Sequence, residues 1–256
     1  MKKLVPYIGF ICLLLGLNSC ANDSSSSDVN SSPPTTSPGP NDGKGGSLAV
    51  FALKNNYLYT VDNRSLHVFH ISDPTNPIKV NDVTIGFDIE TLFSLDNLLF
   101  MGAQSGMYIY DITNPENPTF LSESTHFTAC DPVVANQTHA FVTLHSSSAC
   151  GNNINRLMVY DIADLQYPEL IHERNLVRPK GLALYENYLV VCDDELKIFD
   201  ITNPAEPTLI RAFNRDYTDV VIYQDKMYAF GPRQISQYTW SGEGFEELEL
   251  ISTLSY

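Results

Sequence analysis

From residue 47 onward, apolar positions fall in short runs separated by turns rich in Asn, Asp, Gly and Pro. The runs repeat in one order. A first run (LAVFAL, TLFSL, PVVAN, GLALY, DVVIY) is followed by a second (NYLYTV, NLLFMG, HAFVTL, NYLVVC, KMYAFG). A third reads LHVFHI, MYIYDI, LMVYDI, LKIFDI and, in degraded form, QISQYTW. A fourth lies beyond a proline-bearing corner: IKVNDVTI, TFLSEST, ELIHERN, TLIRAFN, LELISTL. Aromatic and β-branched residues fill these runs, as pleated strands prefer. No segment keeps a helical period. The pattern predicts short strands joined by tight hairpins, with Asn, Asp or Gln at the turns between first and second runs.

The third run sets the period. His70, Asp111, Asp161 and Asp200 occupy equivalent places, separated by 41, 50 and 39 residues. The long interval holds the insertion HSSSACGNNINR within the third copy. Four strands every forty-odd residues, without helices, predict an all-β fold: a five-bladed β-propeller of four-stranded antiparallel blades closing around a common axis. A β-sandwich or β-solenoid is the competing architecture, and the shared strand order disfavours it. In the recurring phrase DITNPENP, the Asp ends the third strand and its carboxylate accepts a backbone N–H two residues on. The prolines cannot donate to a ladder, so they stop the strand and stiffen the corner. The phrase is a structural corner, not a shared catalytic Asp: the first copy has His70 in that place and the fifth loses the phrase.

The stretches YTVDNRSLHVFHISDPTNP, FMGAQSGMYIYDITNPENP, VYDIADLQYP and VVCDDELKIFDITNPAEP resemble the LVIVD-repeat proteins. The resemblance covers about residues 47–240 and implies a β-propeller of a kind often found as bacterial lipoproteins. It supplies no common activity and no catalytic residues. FGPRQISQYTW and the insertion in the third copy depart from the pattern.

The N-terminus changes the picture of location. Two lysines precede an apolar run from Leu4 to Leu17, too short to span a bilayer. The run ends in LNSC, which resembles a lipobox and implies cleavage before Cys20 and lipid attachment to it. The expected divisions are a signal peptide over 1–19, a lipidated Cys20 with a disordered Ser/Pro/Gly tether over 20–46, and a propeller over 47–256. Such a tether spans about 30 Å root-mean-square. Ala21 follows the cysteine in place of the Asp typical of inner-membrane retention, which points to the outer membrane of a bacterial cell envelope.

Formal net charge is −15, and removal of Lys2 and Lys3 with the signal makes it −17. An acidic chain with scattered basic residues offers phosphates no patch, which excludes nucleic acid as partner. An exported protein can hold disulfides, and Cys130 and Cys150 are expected to pair across the insertion, with Cys192 a free core thiol. No zinc spacing, GxSxG elbow, glycine-rich phosphate loop or HExxH occurs, and no cofactor is expected.

One alignment gathers candidate chemistry. The residues leading the first strands are Ala49, Glu90, Asp131, Lys180 and Asp219, each seven positions before a second-strand landmark (Asn56, Asn97, Thr138, Asn187, Lys226). First strands line the axis of a propeller, so Glu90, Asp131, Lys180 and Asp219 are candidates for a polar-ligand or cation site at the channel mouth. The competing reading has each carboxylate capping local backbone amides, with Lys180 neutralising them. Two functions follow: a non-catalytic binding or scaffold module for an envelope protein or glycan, or an envelope enzyme acting on carbohydrate or peptide through Asp131, Asp219, Glu90 and His126. His126 and His145 are a further conjectural pair in the third copy.

Overall fold

The computed structural model describes residues 46–125, 132–145, 154–241, 245 and 247–256, all within the second of two units of the chain, 38–256. Cys20, the tether, the Cys130–Cys150 pair, His126 and Asp131 lie outside the described residues.

Twenty strands form five four-stranded antiparallel sheets, each a meander of consecutive strands. Blade 1 holds β1 (Phe51–Lys54), β2 (Tyr57–Val61), β3 (Ser65–His70) and β4 (Ile78–Thr84). Blade 2 holds β5 (Ile89–Leu95), β6 (Leu98–Ala103), β7 (Gly106–Asp111) and β8 (Thr119–Thr125). Blade 3 holds β9 (Val133–Ala135), β10 (His139–Leu144), β11 (Arg156–Asp161) and β12 (Glu169–Asn175). Blade 4 holds β13 (Leu182–Tyr185), β14 (Tyr188–Cys192), β15 (Leu196–Asp200) and β16 (Thr208–Phe213). Blade 5 holds β17 (Asp219–Tyr223), β18 (Lys226–Gly231), β19 (Gln234–Ser241) and β20 (Glu247–Ser255). The fold is the five-bladed propeller that the pattern predicts, and the degraded fifth copy builds a full blade.

The turn chemistry explains the meander. Asn55, Asp96, Glu186, Gln224 and Asp225 open or complete the first hairpins with φ between 48° and 55°. Asn and Asp tolerate this left-handed region best among residues with a side chain. At the corners, the Asp111, Asp161 and Asp200 carboxylates each accept the N–H two residues on, at 2.6, 2.8 and 2.8 Å. A second bond ties each corner inward. The N–H groups of Ile71, Ile112, Ile162 and Ile201 donate to the carbonyls of Asn56, Asn97, Thr138 and Asn187 at 2.7–2.8 Å. The landmarks of the alignment are therefore the acceptors that lock the corner to the hairpin turn. In blade 1, where His70 replaces Asp, its Nε2 lies 3.0 Å from Ser72 Oγ. Every blade also carries a β-bulge between strands three and four at the same step, from Val68/Phe69 to Gln237/Tyr238. The extra residue twists the outer strand and blunts its exposed edge.

Blades cohere face to face. One apolar cluster joins blades 1 and 2 around Tyr59, Leu99 and Met101, and another joins blades 2 and 3 around Phe100, Ile109 and Val142. A third joins blades 3 and 4 around Phe141, Leu189 and Phe199, and the fourth joins blades 4 and 5 around Cys192, Tyr217 and Met227. Cys192 is a buried free thiol, as the strand pattern predicts.

The seam between blades 5 and 1 differs. Register places Phe51, Leu53, Leu58, Thr60, His67 and Phe69 on the face of blade 1 turned away from blade 2, and none is buried. On blade 5, Val221, Tyr228, Phe230, Ile235 and Gln237 share the face turned away from blade 4, and again none is buried. Among the described residues, no buried apolar cluster spans this seam. Truncation should expose the inequality. Phe100→Ala, inside the blade 2–3 cluster, is expected to cost about 3–5 kcal/mol, and Phe69→Ala, on the unsealed face, less than half of that. Chemical denaturation midpoints of the two variants test this, and equal losses would mean that all five seams are alike.

Candidate functional site

The centre of the propeller is built from the residues that enter blade 1 and from the leaders of β13 and β17. Ser47 is fully buried. Its hydroxyl donates to Asp219 Oδ1 at 3.1 Å and accepts from the Leu182 N–H at 2.7 Å. Asp219 also accepts from the N–H groups of Val220 and Leu48. One residue further, the Ala49 carbonyl accepts the Leu92 N–H at 2.7 Å. Residues 46–49 therefore form a clasp that touches blades 2, 4 and 5 before running into blade 1. Two glycines make room for the carboxylate. A Cβ on Gly46 would fall 2.3 Å from Asp219 Oδ2, and one on Gly181 would fall 2.1 Å from Oδ1 and 2.7 Å from the Asp219 Cα.

Burial pushes the Asp219 carboxyl up to about 6, against the opposing pull of the Val220, Ser47 and Leu48 donors. The Cys192 thiol interacts with it and is itself pushed well up, first by burial and then by Asp219.

The other sequence candidates are placed differently. Lys180 sends its ammonium to Asp216 at 3.0 Å, beside an Arg178–Asp216 contact at 3.4 Å. Its backbone is structural: the N–H donates to the Cys192 carbonyl and the carbonyl accepts the Thr143 hydroxyl from blade 3. Glu90 accepts from Gln104 Nε2 at 3.1 Å. Asp193, which the alignment did not single out, is fully buried and gathers the Val177 and Arg178 amides and the Lys197 ammonium. The described leaders thus hold backbone and neighbouring blades together rather than converging on one open cavity, and the described residues contain no group of His, Cys, Asp and Glu arranged to hold a metal ion.

A groove with free space lies elsewhere. Between the outer strands of blades 2 and 3 is a cavity of about 420 Å³, lined by Glu123, Arg156, Glu173, Met158, Tyr160 and Leu170, among others. Arg156 pairs with Glu173 across β11 and β12. Leu144 and Ile154, at the two ends of the blade 3 insertion, border it. One signal for this place is legible along the chain, the enlarged loop, but Glu123 comes from another copy and nothing local joins it to Arg156.

The comparisons with known proteins bear on this geometry. Residues 45–84 and 179–215, which are blade 1 with its clasp and most of blade 4, match the LVIVD repeat. The chain is a β-propeller that carries LVIVD repeats. No curated protein shows significant similarity to it. Among solved structures, the computationally designed Ika8 protein superposes with a TM-score of 0.57 at 13% identity, covering 80% of this chain and 61% of that one. The periplasmic gluconolactonase PpgL of Pseudomonas aeruginosa gives 0.60 at 12%, covering 78% and 67%. A functionally unknown protein from Desulfotomaculum acetoxidans DSM 771 gives 0.51 at 12%, covering 79% and 80%. Identities this low show the fold alone. The LVIVD-repeat chain spans about three fifths of the length of the designed protein.

The clasp yields two expectations. Gly181→Ala drives a methyl into the Asp219 backbone and is expected to destabilise by about 1–3 kcal/mol in urea denaturation; an unchanged midpoint would contradict the close approach. The folded carboxyl of Asp219, at about 6, lies above its unstrained 3.8. The folded state therefore holds the proton more tightly, and this group's contribution to stability is largest at low pH and lost as pH rises from about 3.8 through about 6. Between pH 4 and 7 it amounts to about 2 kcal/mol, and Asp219→Asn should remove that much of the slope in a pH series of denaturation curves.

Proposed function

We propose that this protein is a lipid-anchored propeller of the bacterial cell envelope that binds a protein or glycan partner without turning it over. The observation that carries this reading is the groove between blades 2 and 3. It combines an apolar wall (Met158, Leu170, Tyr160) with a carboxylate and an ion pair (Glu123, Arg156–Glu173), and Leu144 and Ile154, which bracket the enlarged loop in sequence, line it as well. Recognition sites on rigid scaffolds have this make-up: an apolar body for contact area and a few polar groups for orientation. The enzyme reading needs carboxylates facing an open channel, whereas Asp219 lies under the clasp and Glu90 is engaged by Gln104. The anchor reading rests on LNSC at Cys20 and on the polar stretch that follows it.

Both halves can be tested. Cys20→Ser is expected to abolish metabolic labelling with an alkyne fatty acid and to move the protein from the outer-membrane fraction to the soluble fraction; labelling that survives the substitution would refute the anchor. For binding, the full chain is screened against arrays of envelope glycans and peptides. Met158→Glu and Arg156→Glu should weaken the captured species at least tenfold, while Glu90→Gln leaves capture unchanged. Turnover of an array member that Glu90→Gln abolishes would establish the enzyme instead.

A further inference from the structure

Each blade is made of consecutive strands, so among the described residues no strand is exchanged between the first and last blades to lock the ring. Four seams are held by apolar clusters, and the seam between blades 5 and 1 has none among the described residues. What ties that seam is polar and small. Ser47 bridges the Asp219 carboxylate of blade 5 and the Leu182 amide of blade 4, Leu48 adds its amide to Asp219, and the chain then enters β1. Gly46 sits so close to Asp219 and Val221 that any side chain there would displace the carboxylate.

We propose that residues 46–49 and Asp219 form a latch at the blade 5–blade 1 seam, that the ring opens at this seam and no other, and that protonation of Asp219 fastens the latch. The sign follows from where the carboxyl sits when the latch is shut and when it is open. Shut, it is largely enclosed by Gly46, Ser47, Gly181 and β17; open, it is hydrated. Enclosure penalises the anion, so the shut form binds the proton more tightly and acid favours it. The step is a single proton exchange with solvent at Asp219, with no bond made or broken elsewhere. Among the described residues, the ionisable group that interacts with Asp219 is the Cys192 thiol from β14; that thiol also feels Lys180, whose ammonium is held by Asp216, and Asp216 itself, from the segments leading into blades 4 and 5. The clasp residues 46–49 carry no ionisable side chain. Opening exposes the half-buried faces of Leu58 and Phe69 on blade 1 and of Val221, Tyr228 and Phe230 on blade 5.

Amide hydrogen exchange of the full chain in detergent, corrected for the intrinsic pH dependence of exchange, tests this. Peptides covering β1–β2 and β17–β18 are expected to open about tenfold more often at pH 7.5 than at pH 5, the factor that a carboxyl near 6 when shut and 3.8 when open produces. Peptides covering β6–β7 and β10–β11 should show no such factor. Asp219→Asn should flatten the dependence at the seam. Ser47→Ala, which keeps the carboxyl enclosed but removes the bridge, should raise seam exchange at both pH values and keep the dependence, and so decides the matter even where Asp219→Asn does not fold. A seam that exchanges equally at both pH values, a factor shared by all five blades, or a dependence that persists in Asp219→Asn would each overturn the latch.

Discussion

A four-stranded blade has two apolar faces, and neither can be left in water at little cost. That constraint dictates the rest of the molecule. It explains why the chain repeats one unit, since the only surface suited to cover a blade is another blade. It also explains why interior strands such as β6 and β10 are buried on both faces, while β2 and β18 alternate between buried and half-exposed positions. A linear stack would leave two faces bare. Bending the stack toward a ring brings those faces together, and the quality of the last seam then depends on how well five blades share the full turn. Here the last seam is the loosest, and its hydrogen-bonded clasp does what apolar packing does at the other four.

The blades were legible in the sequence because their determinants are local. A strand-ending Asp, a proline four places on and an Asn in the preceding hairpin lie within one repeat, and the bonds from Ile112 to Asn97 and from Ile201 to Asn187 show that these letters are read against one another. Even the fifth copy, with the phrase erased, kept the alternation of QISQYTW and so kept its strand. The alignment of first-strand leaders was legible only as a position. It placed Asp219 at the centre, where it lies, but could not distinguish a carboxylate aimed into a channel from one sealed beneath the chain's own entry segment. Ser47 and Asp219 are 172 residues apart, and nothing local to either announces the other. Lys180 illustrates the same limit. Its charge suggested neutralisation of the central carboxylates, yet its ammonium turns to Asp216, three residues before Asp219, while its backbone stitches blade 3 to blade 4.

The groove between blades 2 and 3 was invisible for a related reason. Its wall is assembled from β8 of one copy and β11 and β12 of the next, so no window of sequence contains it. What the sequence offered was one irregularity in the repeat, the blade 3 insertion, and the groove lies against its two ends, Leu144 and Ile154. In a repeat protein the uniform positions report on the scaffold, and departures from uniformity are where a site has room to form.

The clasp also occupies a particular place along the chain. Gly46 follows directly on the Ser/Pro/Gly stretch that the lipid-anchored reading makes the tether, so any load carried along that stretch reaches Ser47 before it reaches a strand. A strand resists such a load with several ladder bonds acting together, whereas the clasp resists it with the bonds of Ser47 and Leu48 and the enclosure of one carboxylate. Tension on the tether and ionisation of Asp219 act on the same few bonds and in the same direction. In this reading the weakest seam of the ring is the one nearest the membrane anchor along the chain, and blades 2 to 4, each covered on both sides, remain a rigid arc whichever way that seam stands.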